Sequence, residues 1–157
     1  MKIKLVVVGK TDDKYIAEGI KKYFNRLKHY ITFEYSELPD IKNSKNLSQE
    51  QQKKLEGEML LKQLQAGDFV VLLDEKGKTF TSREFASYIE KKMVSGTKRV
   101  VFIVGGPYGF SDEIYAKAND KISLSKMTFS HQLVRLIFFE QIYRAMTIIR
   151  NEPYHHD

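Results

Sequence analysis

Two short, uninterrupted apolar runs, Phe69–Leu73 and Val100–Val104, constrain the fold of this chain more than any other feature. A strand with one face in water alternates apolar and polar residues, whereas a strand covered on both faces of a parallel sheet is apolar throughout. The segments between the apolar runs carry apolar residues at three- and four-residue spacing, which is typical of amphipathic helices. Strands that alternate with helices in this way predict an α/β domain with a largely parallel sheet.

The first third of the chain adds a strand, a helix and a second strand to this pattern. Apolar and other residues alternate over Ile3–Val7 until Gly9, which predicts a strand that runs into a turn. Residues 12–29 carry one apolar stripe and predict an amphipathic helix, and residues 31–37 predict the next strand. The following stretch, 38–47, is polar and predicts a solvated loop.

Two helix starts carry a hydrogen-bonding signature. Ser48 stands three residues before Gln51 and Thr81 three residues before Glu84, the spacing of a capping box. The first of these helices is predicted to bury an apolar face formed by Leu55, Met59 and Leu64. The two helices are predicted to end at the glycines Gly67 and Gly96.

The last helix, predicted over about residues 130–150, has apolar side chains around most of its circumference. A helix of this kind must be covered on nearly all sides. In so small a domain one face could pack on the sheet and another on a second copy of the chain, so the pattern predicts a homodimer. A helix that is central to a monomer is the alternative interpretation.

Composition limits the classes of function. A chain of 157 residues suits one compact domain, residues 1–157, and its net charge of +6 favours a polyanionic partner without identifying it. Cysteine is absent, which excludes disulfides, thiolate nucleophiles and thiolate zinc sites. The apolar segments are too short for a membrane span, and the amino-terminal run lacks a signal-peptide cleavage site, so a cytoplasmic location is expected.

Ligands of open α/β sheets bind at the carboxyl ends of the strands, and three segments of this chain qualify. The first is Leu73 with Asp74, the second Gly105–Phe110 and the third Leu124–His131. Paired glycines let a ligand approach the backbone closely, although an ordinary tight turn explains them equally well. The third segment mixes hydroxyl and apolar side chains that could surround an adenine, or it is a helix entry capped by Ser130.

The carboxyl end gathers acid–base and anion-binding groups, among them Arg144, Tyr154 and His155. The neighbouring pair His155 and His156 could instead suggest a metal site, but adjacent histidines in a flexible tail rarely form a closed one. A frayed tail without function is the other interpretation. Pro153 argues against it because proline restricts the backbone.

In their order and spacing, these segments resemble the RlmH family of SPOUT-class methyltransferases, which methylate N3 of a pseudouridine in helix 69 of 23S ribosomal RNA. The similarity extends from end to end, through KIKLVVVGK, VVLLDEKGK, VFIVGGPYG, LSKMTFSHQLVRL and EQIYRAMTIIRNEPYHHD. The resemblance implies a single-domain α/β fold of SPOUT type with a parallel sheet, a deep trefoil knot in roughly the C-terminal half, and a homodimer. Knots are so rare that composition and periodicity do not predict this one.

The resemblance also implies that S-adenosyl-L-methionine is the cofactor, that no metal is needed, and that the partner is 23S ribosomal RNA within the large subunit or ribosome. The implied cofactor-binding residues are Leu73, Gly105, Leu124, Ser125, Lys126, Met127, Thr128 and Phe129. The implied catalytic group consists of His155 for proton handling, Tyr154 for packing or hydrogen bonding at the target base, and Arg144 for charge stabilisation or phosphate contact. In a dimer, the tail of one subunit could complete the site of the other.

Three other functions stay open at the level of sequence. Cofactor motifs do not encode the substrate, so a SPOUT methyltransferase that acts on another RNA, such as transfer RNA, is the closest alternative. A catalytically idle, ribosome-associated RNA-binding module would bind RNA but not S-adenosylmethionine. A nucleotide-binding hydrolase is the weakest alternative, because the chain has no phosphate-loop motif.

Overall fold

The computed structural model describes all residues 1–157 and contains one five-stranded sheet in the order β2-β1-β4-β3-β5. All neighbouring strands are parallel, which confirms the predicted α/β class and parallel sheet; the knot stays a prediction. The elements in chain order are β1 (Lys2–Val8), α1 (Lys14–Leu27), β2 (Thr32–Leu38), a 3-10 turn (Ser44–Asn46), α2 (Gln49–Leu61), β3 (Phe69–Thr79), α3 (Ser82–Val94), β4 (Arg99–Val104), α4 (Asp112–Lys117), β5 (Asp120–Ser123) and α5 (His131–Ile149).

Helices cover both faces of the sheet. Along β4, Val100, Phe102 and Val104 pack with α1, α3 and α5 on one face, while Val101 and Ile103 pack with α2 and α4 on the other. Every residue of this strand is buried. The uninterrupted apolar run is therefore explained by a strand that has a hydrophobic cluster on each side.

The apolar circumference of α5 is largely accounted for within one chain. The helix lies between α1 and α3, and Phe138, Phe139 and Ile142 are completely buried there. Leu136 and Ile137 remain partly exposed. The monomer thus provides the cover that the alternative interpretation required, and the homodimer stays a prediction that rests on the family resemblance.

Both capping boxes are confirmed, since Ser48 and Thr81 each accept a hydrogen bond from the backbone N–H three residues later. The predicted apolar face of this segment is wrong at Leu55, which is 37% exposed, whereas Met59 and Leu64 are half-buried against the hydrophobic cluster. The residues that α2 fully buries are Glu56, Gly57 and Leu60. The helix is rotated because Gly57 permits close contact with the segment that follows β4.

Three features lie outside the predicted element pattern. Helix α4 and strand β5 are only six and four residues long, too short to show a hydrophobic period. Strand β3 is longer than its apolar run: it pairs with β4 as far as Leu73, and its pairing with β5 covers Val71–Leu73, shifts register, and resumes at Lys78 and Thr79. No helix of the chain has the length and apolar content that a bilayer crossing requires.

Candidate functional site

A cavity of about 610 Å³ opens at the carboxyl ends of β4 and β5 and beside the middle of β3, just past Leu73, where β3 stops pairing with β4. The three segments that sequence analysis placed at strand ends meet in its wall. Among its lining residues are Leu73, Gly105, Leu124, Ser125, Met127, Thr128 and Phe129. Lys126 belongs to the same loop, but its side chain is exposed and does not line the cavity.

The paired glycines form a tightly packed turn after β4. A Cβ atom on Gly105 would lie 2.9 Å from the ring of Phe110, and a Cβ atom on Gly106 would lie 2.5 Å from Oε1 of Glu56. The turn closes where the N–H of Gly109 donates to the carbonyl of Gly106 at 3.2 Å. Side chains are therefore excluded from both glycine positions, which leaves backbone as the surface that faces a ligand.

The loop between β5 and α5 is organised by hydrogen bonds of its own. The Ser123 hydroxyl donates to the carbonyl of Ser125 at 2.7 Å, and the Ser125 hydroxyl accepts from the N–H of Met127 at 2.9 Å. Met127 is nevertheless 78% exposed. Ser130 caps α5 by accepting from the N–H of Leu133, so the segment is both a helix entry and a cavity wall.

Asp74 and Tyr115 form a polar group at the cavity rim. The Tyr115 hydroxyl donates to Oδ2 of Asp74 at 2.6 Å, and Oδ1 of Asp74 accepts from the N–H of Lys76 at 2.9 Å. Burial and the hydrogen bond to Asp74 raise the pKa of Tyr115 to about 12. Sequence analysis missed Tyr115 because it lies on α4, whose six residues carry no periodic signal.

The carboxyl-terminal tail is bound to the body of the domain. The N–H of Glu152 donates to the carbonyl of Thr147 at 2.9 Å, and the Tyr30 hydroxyl donates to the Glu152 carboxylate at 2.6 Å. Asn151 adopts a positive φ of 56°, which turns the chain back after α5. These contacts argue against the frayed-tail interpretation.

Arg144 and Tyr154 share the carboxylate of Glu140. Arg144 donates to Oε1 of Glu140 from Nε at 2.9 Å and from Nη2 at 2.6 Å, and the Tyr154 hydroxyl donates to the same oxygen at 3.1 Å. The guanidinium also lies over the Tyr154 ring, 4.7 Å from its centroid. Burial, together with Tyr23 and Glu140, raises the pKa of Tyr154, so its hydroxyl is protonated at neutral pH.

His155 lies between a cation and a carboxylate. Its Nδ1 is 3.0 Å from Nη1 of Arg144, and its Nε2 is 2.7 Å from Oδ1 of Asp157. A guanidinium can only donate, so Nδ1 accepts and Nε2 carries the hydrogen that is donated to Asp157. Arg83 and His155 lower the pKa of Asp157, which is ionised. Both ring nitrogens are therefore engaged in hydrogen bonds in this arrangement.

The predicted catalytic residues Arg144, Tyr154 and His155 contact one another but do not line the cavity of the same chain. Tyr154 instead borders a separate cleft with Arg26, Tyr30, Tyr143 and Arg150. No group of three or more histidine or carboxylate side chains in the structure is arranged to hold a metal ion. The predicted cofactor segments thus come together in one place, and the predicted catalytic group comes together in another.

Comparison with known proteins agrees over the whole chain. A family profile described as predicted SPOUT methyltransferase matches residues 1–155. Proteins named ribosomal RNA large subunit methyltransferase H are similar from end to end: that of Parabacteroides distasonis is 66% identical over 100% of both chains. The proteins of that name from Christiangramia forsetii and Phocaeicola vulgatus are each 60% identical, over 99% and 100% of both chains.

Proposed function

The chain belongs to the SPOUT methyltransferase family, and on that premise we propose that it methylates N3 of a pseudouridine in helix 69 of 23S ribosomal RNA. The name shared by its relatives supports ribosomal RNA of the large subunit as the substrate. The resemblance to the RlmH family supports the base and the position. The observation that carries the proposal is that Leu73, the turn of Gly105–Phe110 and the loop of Leu124–Phe129 line one cavity.

The cavity fits S-adenosyl-L-methionine in size and in chemistry. Its volume of about 610 Å³ lies within the range of small-molecule sites. Leu73, Leu124 and Phe129 provide apolar walls for an adenosine, while the backbone at Gly105 provides hydrogen-bonding groups that no side chain obstructs. When bound, this cofactor supplies a methyl group on a positively charged sulfur that leaves as a neutral thioether.

The cavity residues chiefly orient the donor and exclude water, because the leaving group is already in place. The loop of Leu124–Phe129 suits this task, since its shape is set by the hydroxyls of Ser123 and Ser125. Lys126 extends from this loop into solvent, where a contact with cofactor or RNA is open to it. A rigid wall of this kind holds a donor in line with its acceptor.

Methylation of N3 requires that this nitrogen lose its proton. The Arg144 guanidinium is suited to stabilise the negative charge that develops on the base, and the Tyr154 hydroxyl is suited to hydrogen-bond it. For His155 to accept the proton, its Nδ1 must first be released from Arg144. An incoming nucleotide whose phosphate draws Arg144 toward itself would free this nitrogen.

The separation of the tail from the cavity supports an active homodimer, in which the tail of one subunit completes the cavity of the other. The single domain 1–157 then supplies both halves of the site. The basic side chains Lys21, Lys22 and Lys28 are exposed on or beside α1 and suit contact with RNA phosphates. We propose the assembled large subunit or ribosome as the substrate, because so small a domain offers little surface for reading free RNA.

The test is transfer of tritiated methyl from S-adenosylmethionine to ribosomes and to free ribosomal RNA that lack the modification. Label at N3 of the helix 69 pseudouridine is expected, and Gly105→Trp, which fills the cavity, should abolish it. Cofactor binding without label on this RNA would favour another RNA substrate such as transfer RNA. Failure to bind the cofactor would favour an RNA-binding module.

A further inference from the structure

A buried carboxyl group lies directly behind the glycine turn, on the side away from the cavity. Glu56 of α2 is only 3% exposed. Its Oε2 accepts a hydrogen bond from Nε2 of Gln52 at 3.2 Å, whereas its Oε1 has no hydrogen-bond partner. A buried polar atom without a partner destabilises a fold, so an acid at this position needs an explanation beyond packing.

Both oxygens of the carboxyl group face the turn. A Cβ atom on Gly106 would collide with Oε2 of Glu56 and would lie 2.5 Å from Oε1 and 2.7 Å from Cδ, so the carboxyl group occupies the space beside the Gly106 backbone. The next residue of α2, Gly57, packs closely against Ser111, because a Cβ atom on Gly57 would collide with the Ser111 hydroxyl and would lie 3.2 Å from the Ser111 Cβ. Helix α2 therefore supports the turn at both of its ends.

We propose that Glu56 is a positioning residue that holds the Gly106–Ser111 turn in the shape that receives the methyl donor. The proposal rests on the proposed function, because that function places the donor against this turn. Glu56 does not line the cavity and acts only through Gly106. Its Oε1 has no partner elsewhere in the fold and is therefore available to hydrogen-bond the turn backbone.

The surroundings of Glu56 favour its neutral form. Burial raises the pKa of the carboxyl group, the Gln52 hydrogen bond opposes this, and the nearby Asp40 carboxylate adds to the rise. A neutral carboxyl group has one O–H donor and retains acceptor capacity. A glutamine has a similar shape and both kinds of group, whereas a methionine has a similar volume and neither.

Binding of S-adenosylhomocysteine, measured by calorimetry, separates positioning from packing. Glu56→Ala and Glu56→Met should each raise the dissociation constant about tenfold, since small displacements of a site are costly. Glu56→Gln should stay within about twofold of the unmodified chain, as should Glu58→Ala, an exposed acid on the same helix. Wild-type affinity in Glu56→Met would overturn the proposal, because packing alone would then suffice.

Amide hydrogen exchange of residues 105–111, measured without any ligand, tests the proposal independently of donor binding. Glu56→Met should accelerate exchange in this segment and Glu56→Gln should not. If the unmodified chain bound no S-adenosylhomocysteine, the proposed function would fail, while exchange would still decide the role of Glu56. Unchanged exchange in Glu56→Met would show that the turn does not depend on the carboxyl group.

Discussion

At the level of single residues, Gly105 is a position in the cavity wall where a side chain would displace its neighbour. Its Cβ would lie 2.9 Å from Cε1 of Phe110. Gly105→Ala should therefore displace the turn and weaken S-adenosylhomocysteine binding about tenfold, as measured by calorimetry. Adding Phe110→Leu should recover part of the affinity, because the two residues share one space. Unchanged affinity in Gly105→Ala would show that the turn adapts.

Arg135 is a residue whose contribution is to stability. It is 2% exposed and donates to the carbonyls of Val8 and Gly9 at 2.8 and 2.9 Å, and to the Thr11 hydroxyl at 2.9 Å. These bonds join α5 to the carboxyl end of β1. Arg135→Met leaves the two carbonyls unpaired and should lower the free energy of unfolding by about 3 kcal/mol in urea titrations.

The matched control for Arg135 is Lys54→Met, which removes a positive charge from an exposed position. It should change the free energy of unfolding by less than about 0.5 kcal/mol. Equal stability of the two variants would mean that the hydrogen bonds from Arg135 to the end of β1 do not stabilise the fold.

At the level of elements, Asp68 and Arg99 join the starts of two adjacent parallel strands. Both are almost fully buried, and Arg99 donates to the Asp68 carboxylate from Nε at 2.8 Å and from Nη2 at 2.7 Å. Burial alone would raise the pKa of Asp68, but the hydrogen bonds from Arg99 and from the Gln65 backbone, together with the positive charges of Arg99 and Lys4, outweigh it and hold the pKa below its ordinary value. A carboxylate with a lowered pKa stabilises the fold above its unfolded pKa, and this contribution is lost as the pH falls through the folded value.

Asp68→Asn should accordingly lower the free energy of unfolding by about 2 kcal/mol at neutral pH. The difference from the unmodified chain should shrink below about pH 4, where the aspartate of the unfolded chain becomes protonated. Urea titrations at several pH values measure both effects. A difference that persists unchanged in acid would exclude the ionised pair as its cause.

The elements that sequence analysis recovered are those whose signals are local. The boxes at Ser48 and Thr81 involve atoms three residues apart, and the apolar run of β4 reflects burial that every one of its residues shares. Part of the buried face of α2 was missed because Glu56 and Gly57 are not apolar. Their burial depends on the glycine turn, which is distant in sequence.

At the level of the whole molecule, the meeting of the three loop segments in one cavity could be predicted because strand ends of a parallel sheet meet at one edge. Leu73, Gly105 and Leu124 follow from that rule together with the family resemblance. The position of the tail could not be predicted, because it depends on side-chain pairs such as Tyr154 with Glu140 and Arg83 with Asp157 that no periodic pattern marks. The same limit applies to Tyr115 on the unpredicted helix α4.

The separation of tail and cavity within one chain leads to a test by complementation. Gly105→Trp should block the cavity and leave the tail intact, whereas Tyr154→Ala combined with His155→Ala should remove the tail groups and leave the cavity intact. Each variant alone should be inactive in methyl transfer.

If the tail acts across a dimer, coexpression should produce mixed dimers in which one of the two sites has both parts. Random pairing makes half of the dimers mixed, so about one quarter of wild-type activity is expected. Mixed dimers isolated with two affinity tags, and identified by native mass spectrometry, should carry all of this activity. Inactive mixed dimers would mean that each tail serves the cavity of its own chain, which would require the tail to leave Glu140 and Arg83 during the reaction.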